Sequence, residues 1–221
     1  MINTLDDYIY RSLPEEGDFH TNPGPEKKVG PDGRFLPFFG DTVVFDLKED
    51  CKSSLAVLQK ELYAAAGEYL AQALDPETFH MTLHDLNNSP VLSPELEAAM
   101  ERSRVAVKPL LDSWRALPPI RMRASWLFNT VNTSIVLGLV PADEESRRQL
   151  EGMYMSLENI LPLGYALCPH ITMAYYRPGC LYGAALEALR SALHPVGLEA
   201  ELGMDALYYQ RFSDMNHYRN Y

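Results

Sequence analysis

Residues 168–176 read CPHITMAYY, and an earlier stretch, residues 79–84, reads FHMTLH. Both alternate polar and apolar residues and are rich in β-branched and aromatic types, which predicts two short β-strands. Successive side chains on a strand point to opposite faces, so each histidine shares a face with the threonine two positions later. The four residues concerned are His80, Thr82, His170 and Thr172. We therefore predict two strands that line a common cleft with these side chains and pack a core with the opposite face.

The sequence around the two motifs predicts further helices and strands. Apolar residues at helical spacing, together with proline and cap signals, mark the helices. We expect helices at residues 53–74, 94–114, 143–160 and 181–193, the second of them opened by Ser93-Pro94 and the first stopped by Asp75-Pro76. We expect the remaining strands at residues 42–47, 121–128 and 134–140 and within 198–212.

A strand, a helix and a His-x-Thr strand follow one another twice. Val43 precedes His80 by the same number of positions as Thr133 precedes His170, with a predicted helix between them in each case. The repeat predicts an α+β fold of two lobes related by a pseudo-twofold axis. Two antiparallel-rich sheets would form a central cleft, with the helices outside. We assign residues 41–221 to this bilobal domain.

Residues 1–40 are predicted to be an irregular N-terminal extension, because prolines and glycines recur through them. Two interpretations remain open. The extension could wrap around the body as a structural element, or it could act as a flap that brings Lys27, Lys28 or Arg34 to an anionic ligand in the cleft.

Composition and charge limit the class of protein. The chain has 221 residues, 47% of them hydrophobic, and 30 acidic against 19 basic residues give a net charge of -11. Because acidic residues outnumber basic ones, such a chain is not expected to bind long nucleic acid through its phosphates. The three cysteines show no CxxC spacing, and the N-terminus has neither a signal-peptide pattern nor an apolar run of membrane-spanning length. We expect a cytoplasmic monomer with reduced thiols and no membrane partner.

The paired motifs resemble the signature of the two-histidine (2H) phosphoesterase superfamily, a duplicated His-x-Thr/Ser-x. Its members include the LigT-like RNA 2′,3′-cyclic phosphodiesterases, also called 2′-5′ RNA ligases, and the plant cyclic phosphodiesterases. The resemblance covers roughly residues 42–212, and the extension and His84 depart from it. It implies a bilobal fold, a phosphodiesterase activity and catalysis by the two histidines.

The chemistry also follows from the residue types. Opening a cyclic phosphodiester with water requires a base that activates the nucleophile and an acid that protonates the leaving alkoxide. Imidazole titrates near neutrality, so His80 and His170 could divide these two tasks. The hydroxyls of Thr82 and Thr172 could bind the phosphate and stabilise the charge of the transition state. Such a site needs no metal or cofactor, and the assignment of His170 as base and His80 as acid is implied by the resemblance alone.

Several neighbouring residues have a functional and a structural interpretation. Tyr176 has the strand parity of His170, and we expect Tyr176 and Arg177 to contact the substrate, although Tyr176 could simply end the strand. We expect Tyr175 in the core and His84 at the rim of the cleft or in a capping role. Cys168 is expected to be a buried thiol and not a nucleophile.

Three functions therefore stay open. The first is a metal-independent phosphodiesterase acting on a small cyclic phosphate, such as a 2′,3′-cyclic nucleotide or a related nucleotide or short oligonucleotide. The second is a nucleotide or RNA-end binding protein that lacks turnover. The third is a metal-dependent hydrolase that uses His80, His84 and His170.

Overall fold

The computed structural model describes residues 2, 13, 19–21, 27–181 and 183–221. The strands among them are β1 (Phe19–His20), β2 (Phe39–Asp46), β3 (His80–Ser89), β4 (Ile120–Thr130), β5 (Ser134–Pro141), β6 (His170–Tyr175), β7 (Cys180–Leu181), β8 (Glu199–Leu202), β9 (Leu207–Asp214) and β10 (His217–Asn220). The helices are α1 (Glu49–Ala66), α2 (Pro94–Trp114), α3 (Glu144–Glu158) and α4 (Ala184–Ala192). Short 3-10 turns lie at Gly67–Tyr69, Pro76–Thr78 and Met204–Ala206.

Eight of the strands form one antiparallel sheet in the order β10-β9-β2-β3-β6-β5-β4-β8. Its two halves are related by pseudo-twofold symmetry, since β2-α1-β3 in one half corresponds to β5-α3-β6 in the other. The halves meet where β3 pairs with β6, and the register there consists of one pair, Met81 with Ile171. The predicted α+β fold is confirmed, and the two predicted sheets are continuous through this central pair.

Local sequence signals set the helix ends. The Ser93 side chain accepts a hydrogen bond from the Leu96 amide, and Asp143 accepts one from the Ser146 amide, so both predicted N-termini carry a cap. The first helix begins earlier and ends earlier than predicted. It stops at Ala66, because the chain turns at Gly67 and Leu70 forms a bridge with Tyr176.

The core lies between the sheet and the helices. Met81 and Ile171 are fully buried and join one apolar cluster with the leucine stripe of α1 and the buried face of α3. This cluster fixes the two central strands from behind, so their opposite face is left to line a cleft. Among the described residues, no helix combines the length and apolar character that are needed to cross a bilayer.

The N-terminal segment is tied to this body where the structure describes it. β1 pairs with β7, and the buried Phe19 ring packs edge-on against Tyr176 at 5.1 Å between centroids. Further along, Val29 is buried and pairs with Phe35 in a tight hairpin. These contacts are those of a structural wrap, but Lys28 also lines the cleft, as the other interpretation expected. The residues before Lys27 fall largely outside the described part.

Candidate active site

The structure brings the two histidines and the two threonines of the paired motifs into one cleft of about 570 Å³. His80 and Thr82 come from β3, and His170 and Thr172 come from β6. All four side chains are half-buried, while Met81 and Ile171 between them are fully buried. The predicted alternation of faces is therefore confirmed across both motifs.

The two imidazoles are held in the same way. Nδ1 of His80 lies 2.7 Å from the Thr78 carbonyl oxygen, and Nδ1 of His170 lies 2.6 Å from the Cys168 carbonyl oxygen. A carbonyl oxygen can only accept, so each ring carries a proton on Nδ1 and donates it to the chain two residues earlier. In the neutral rings, proton exchange then falls to Nε2 on both histidines.

The surroundings of His80 set its charge. Burial lowers the pKa of His80 below its ordinary value, and this outweighs the hydrogen bond to Thr78 and the nearby carboxylates of Asp46 and Asp85, which act in the opposite direction. The neighbouring His170 lowers the pKa of His80 further. His80 is therefore neutral near pH 7 in the free protein, which suits a proton acceptor and differs from the acid role that the resemblance implies.

The buried side chain of Lys52, on α1, contacts residues that neighbour His80. Its side chain is 7% exposed, and its ammonium lies 2.9 Å from a carboxylate oxygen of Asp46, the residue that pairs with His80 across the strands. The same ammonium donates to the Glu77 carbonyl oxygen at 3.0 Å, next to the Thr78 carbonyl that orients His80. The sequence analysis missed Lys52, although a lysine on the apolar face of a helix is a usable signal.

A β-bulge follows each motif at the equivalent position. From Thr82 to His84 the strand β3 advances two residues while β2 advances one, so Leu83 is an extra residue of β3. In the same way, Met173 is an extra residue of β6 opposite β5. The carbonyl of Met173 accepts a hydrogen bond from the buried Gln59 of α1, and that of His84 accepts one from Thr42. An extra residue inverts the alternation of side chains beyond it.

The bulge at Met173 explains a wrong prediction about Tyr176. Tyr176 is fully buried, packs on Phe19 and does not line the cleft, whereas Tyr175 belongs to the apolar core, as expected, and also lines the cleft. The strand parity that placed Tyr176 beside His170 holds only up to the extra residue. In the structure Tyr176 has a structural role.

Arg177 is also placed away from the cleft. Its guanidinium donates to the Asp32 carbonyl at 2.9 Å and to the Glu68 carbonyl at 3.3 Å, and it lies against Gly33, whose positive φ makes the turn. Arg177 does not line the cleft, and its expected contact with the substrate stays a prediction. Arg177 instead fixes the hairpin that carries Lys28.

The sequence predicted His84 at the end of its strand and at the rim of the cleft. In the structure it lies within the strand and is buried. The strand continues to Ser89, and His84 is 1% exposed, with its ring against Tyr154 and its Nε2 3.0 Å from a carboxylate oxygen of Glu158. Glu158 in turn accepts a hydrogen bond from the Leu163 amide at 2.8 Å. His84 thus anchors the loop that forms one wall of the cleft.

Cys168 lies on that wall and is half-buried, so it is more accessible than the buried thiol that was expected. The three-histidine metal site considered as an alternative is not assembled, since Nε2 of His84 is engaged by Glu158. Within the described ranges, no cluster of three or more His, Cys, Asp or Glu side chains is arranged to hold a metal ion.

A row of aromatic rings begins on the His80 side of the cleft, which Tyr218 and Phe212 line, and ends at the buried Phe38. The Tyr218 ring lies 5.0 Å from His80, Phe212 lies 5.6 Å from Tyr218, and Phe38 stacks on Phe212 at 6.1 Å between centroids. Tyr218 comes from β10, which the sequence analysis had left as a tail. Its short length and its polar residues gave no strand signal.

Comparison with known proteins finds similarity in structure and none in sequence families. No protein-family model matches the sequence, and no curated protein matches it significantly. A conserved protein of unknown function from Agrobacterium tumefaciens is similar in structure, with a TM-score of 0.69 and 18% identity over 99% of this chain and 98% of that one. A protein of Thermus thermophilus gives a TM-score of 0.53 and 17% identity over 82% of this chain and 94% of its own.

A third similar structure is LigT of Escherichia coli, with a TM-score of 0.49 and 15% identity over 83% of this chain and 94% of that one. At such identities, the first two similarities show the fold alone. The chain therefore shares an α+β fold with a curled antiparallel sheet, and its chemistry has to be argued from its own residues.

Proposed function

We propose that this protein is a metal-independent phosphodiesterase that opens a small cyclic phosphate, such as a 2′,3′-cyclic nucleotide, by acid/base catalysis with His80 and His170. One observation carries the proposal. Two imidazoles in the same Nδ1-protonated arrangement, each with a threonine hydroxyl two residues on, line one cleft across a pseudo-twofold axis. The resemblance of the paired motifs to the 2H phosphoesterases supports the same reaction.

The reaction divides between the two histidines. One neutral imidazole takes a proton from water at Nε2 as the water oxygen forms a bond to phosphorus. The bond from phosphorus to one ring oxygen breaks, and the second imidazole, in its protonated form, gives its proton to that leaving oxygen. The product is an acyclic phosphate monoester and a free hydroxyl, and the two histidines end with their protonation states exchanged.

The lowered pKa of His80 favours this residue as the proton acceptor. The protonated partner is then His170, the reverse of the assignment that the resemblance implies. The two threonine hydroxyls donate to the non-bridging oxygens of the phosphate, where negative charge increases as the nucleophile attacks.

A binding protein without turnover would also use this cleft, so turnover has to be measured. The purified protein should be incubated with nucleoside 2′,3′-cyclic phosphates, 2′-5′-linked dinucleotides and cyclic dinucleotides, each with and without EDTA. We expect EDTA-resistant hydrolysis of at least one cyclic phosphate. Tight binding of these compounds without hydrolysis would contradict the proposal and favour a binding protein, and activity that EDTA abolishes would favour the metal-dependent hydrolase.

A further inference from the structure

We infer that Lys28 forms a second anion subsite in the cleft, so that the preferred ligand carries a further anionic group beyond the phosphate at the two histidines. This inference rests on the proposed function for the identity of the first phosphate. The ligand class is a nucleotide-like molecule in which a flat or apolar part separates two phosphates.

The position of Lys28 is well defined by the hairpin that carries it. Its carbonyl accepts a hydrogen bond from the Leu36 amide at 2.8 Å, and the next residue, Val29, is buried and paired with Phe35. The turn of this hairpin is fastened to the body by Arg177, and the Gly33 carbonyl accepts from the Gln72 amide at 2.8 Å. Lys28 is thereby presented to the cleft by a fixed element.

The ammonium of Lys28 lies over two ring faces. Its nitrogen is 5.1 Å from the centre of the Phe38 ring and 5.5 Å from the centre of the Tyr175 ring. Of the described residues that line the cleft, Lys28 is the one lysine or arginine. In the part of the chain that the structure describes, it forms no ion pair with a carboxylate, whereas Lys48, Lys52 and Arg211 each form one. The Phe38 and Tyr175 rings attract the ammonium of Lys28, but unlike a carboxylate they carry no negative charge that would cancel its own.

The subsite is separate from the two catalytic histidines. Ring contacts run from His80 through Tyr218 and Phe212 to Phe38, with centroids 5.0, 5.6 and 6.1 Å apart, and the Lys28 ammonium lies 5.1 Å from the Phe38 centroid. Along β6, Tyr175 is three residues beyond Thr172, with the bulge at Met173 between them. We therefore place the Lys28 subsite on the Tyr175 side of the cleft, apart from the phosphate that Thr82 and Thr172 would hold.

An apolar wall with a positive charge at its far end selects the class of ligand. The Tyr218, Phe212 and Tyr175 rings that line the cleft offer a surface on which a base or a sugar can pack, and the ammonium offers a charge-assisted contact for a phosphate at the other end of that group. Asp85, also on the cleft, limits the total negative charge that can be accommodated, so two phosphates suit the cleft better than a polyphosphate.

Affinity for two product-like probes tests the subsite without turnover. Adenosine 3′,5′-bisphosphate and adenosine 3′-monophosphate should be titrated by calorimetry into the wild type and into Lys28→Gln. We expect the wild type to bind the bisphosphate at least about tenfold more tightly, and Lys28→Gln to lose most of that preference. Lys28→Arg keeps a cation over the rings and should retain the preference, and Lys27→Gln, which removes an exposed neighbouring charge, should leave it unchanged.

Two results would overturn the inference. An equal loss of affinity for both probes in Lys28→Gln would place the ammonium on the phosphate at the histidines. No loss for either probe, with unchanged thermal melting of the variant, would mean that Lys28 only packs against its rings. Because binding is read directly, the test holds even if no cyclic phosphate is hydrolysed, and failure of the proposed function remains distinguishable from failure of the subsite.

Discussion

Two histidines of the same tautomer stand in different surroundings. Both rings donate from Nδ1 to a main-chain carbonyl, and His80 also contacts the Tyr218 ring and lies beside Asp46 and its partner Lys52. Burial still dominates at His80 and lowers its pKa. The acid/base division that we propose thus makes the pair asymmetric, with His80 as the neutral member.

The pH dependence of kcat/KM should reveal this asymmetry. A base must be neutral to act, so activity is lost as the pH falls through the pKa of His80 in the free protein, and that pKa is lowered. We expect the acidic limb of the profile to lie below about 6.5, the ordinary value for histidine. An acidic limb above that value would contradict the assignment of His80 as base.

The threonine hydroxyls should act on kcat more than on KM. Thr82→Val and Thr172→Val remove a donor at nearly constant shape, and we expect each to lower kcat by about tenfold to a hundredfold, because the donors act on charge that develops in the transition state. Thr→Ser at the same positions keeps the hydroxyl and is the matched control. An effect confined to KM would show that the hydroxyls bind only the ground-state phosphate.

The sequence analysis placed the motif residues correctly and failed just beyond them. Alternation holds from His170 to Thr172, then the extra residue Met173 moves Tyr175 into the cleft and Tyr176 into the core. The bulge depends on the register with β5 and on the hydrogen bond from Gln59, both long-range contacts. No local pattern of residue types carries that information.

At the scale of elements, the loop after α3 forms a wall of the cleft and is fastened by Glu158. Its carboxylate accepts a hydrogen bond from the Leu163 amide and pairs with His84 of β3. The loop continues to Cys168, whose carbonyl accepts the Nδ1 proton of His170. The Glu158–His84 pair therefore links the strand that carries His80 to the residue that orients His170.

Glu158→Gln should destabilise the protein in a pH-dependent way. Burial raises the pKa of Glu158, but its hydrogen bonds from the Leu163 amide and His84 outweigh this, and the pKa is lowered overall. A lowered carboxyl pKa stabilises the fold above the unfolded value near 4.5 and stops doing so as the pH falls through the folded value.

We accordingly expect Glu158→Gln to lower Tm by about 5 °C at pH 7 and by less near pH 4. Thermal melting followed by circular dichroism at the two pH values measures the difference. Glu145→Gln, which changes an exposed glutamate on the same helix, is the control and should leave Tm unchanged. A loss of Tm that stays the same at both pH values would mean that the charge of Glu158 is not what anchors the loop.

Elements with strong local signals were predicted, and those formed by tertiary contacts were not. The caps at Ser93 and Asp143 are local, and both helices begin where the sequence places them. The end of α1 at Ala66 and the strand β10 depend on pairing with Tyr176 and with β9, respectively. The aromatic row, to which β10 contributes Tyr218, was missed for that reason.

On the scale of the whole molecule, the repeat predicted the pseudo-twofold arrangement, because each half contains a strand, a helix and a histidine strand. It could not show that the halves join in one sheet, since a single pair, Met81 with Ile171, makes the connection. Nor could it show that the N-terminal segment presents Lys28 to the cleft.

The net charge of -11 repels any polyanion that approaches the protein. Few phosphates can be neutralised in a cleft with one lysine among its described lining residues, so we expect a shallow dependence of log Kd on log salt for a cyclic mononucleotide. A twenty-nucleotide RNA ending in a 2′,3′-cyclic phosphate should bind no more tightly and with a similar slope. Much tighter and steeply salt-dependent binding of that RNA would instead favour RNA-end processing.

The central claim is that His80 and His170 act as one acid/base pair on a cyclic phosphate. The most direct measurement is kcat/KM on the preferred cyclic phosphate for His80→Ala, His170→Ala and the double variant, with the exposed His194→Ala as control and thermal melting as a check of the fold. We expect each single variant to lose at least about a hundredfold, the double variant to lose little more, and the control to match the wild type. Near-wild-type turnover in either folded single variant would contradict the account.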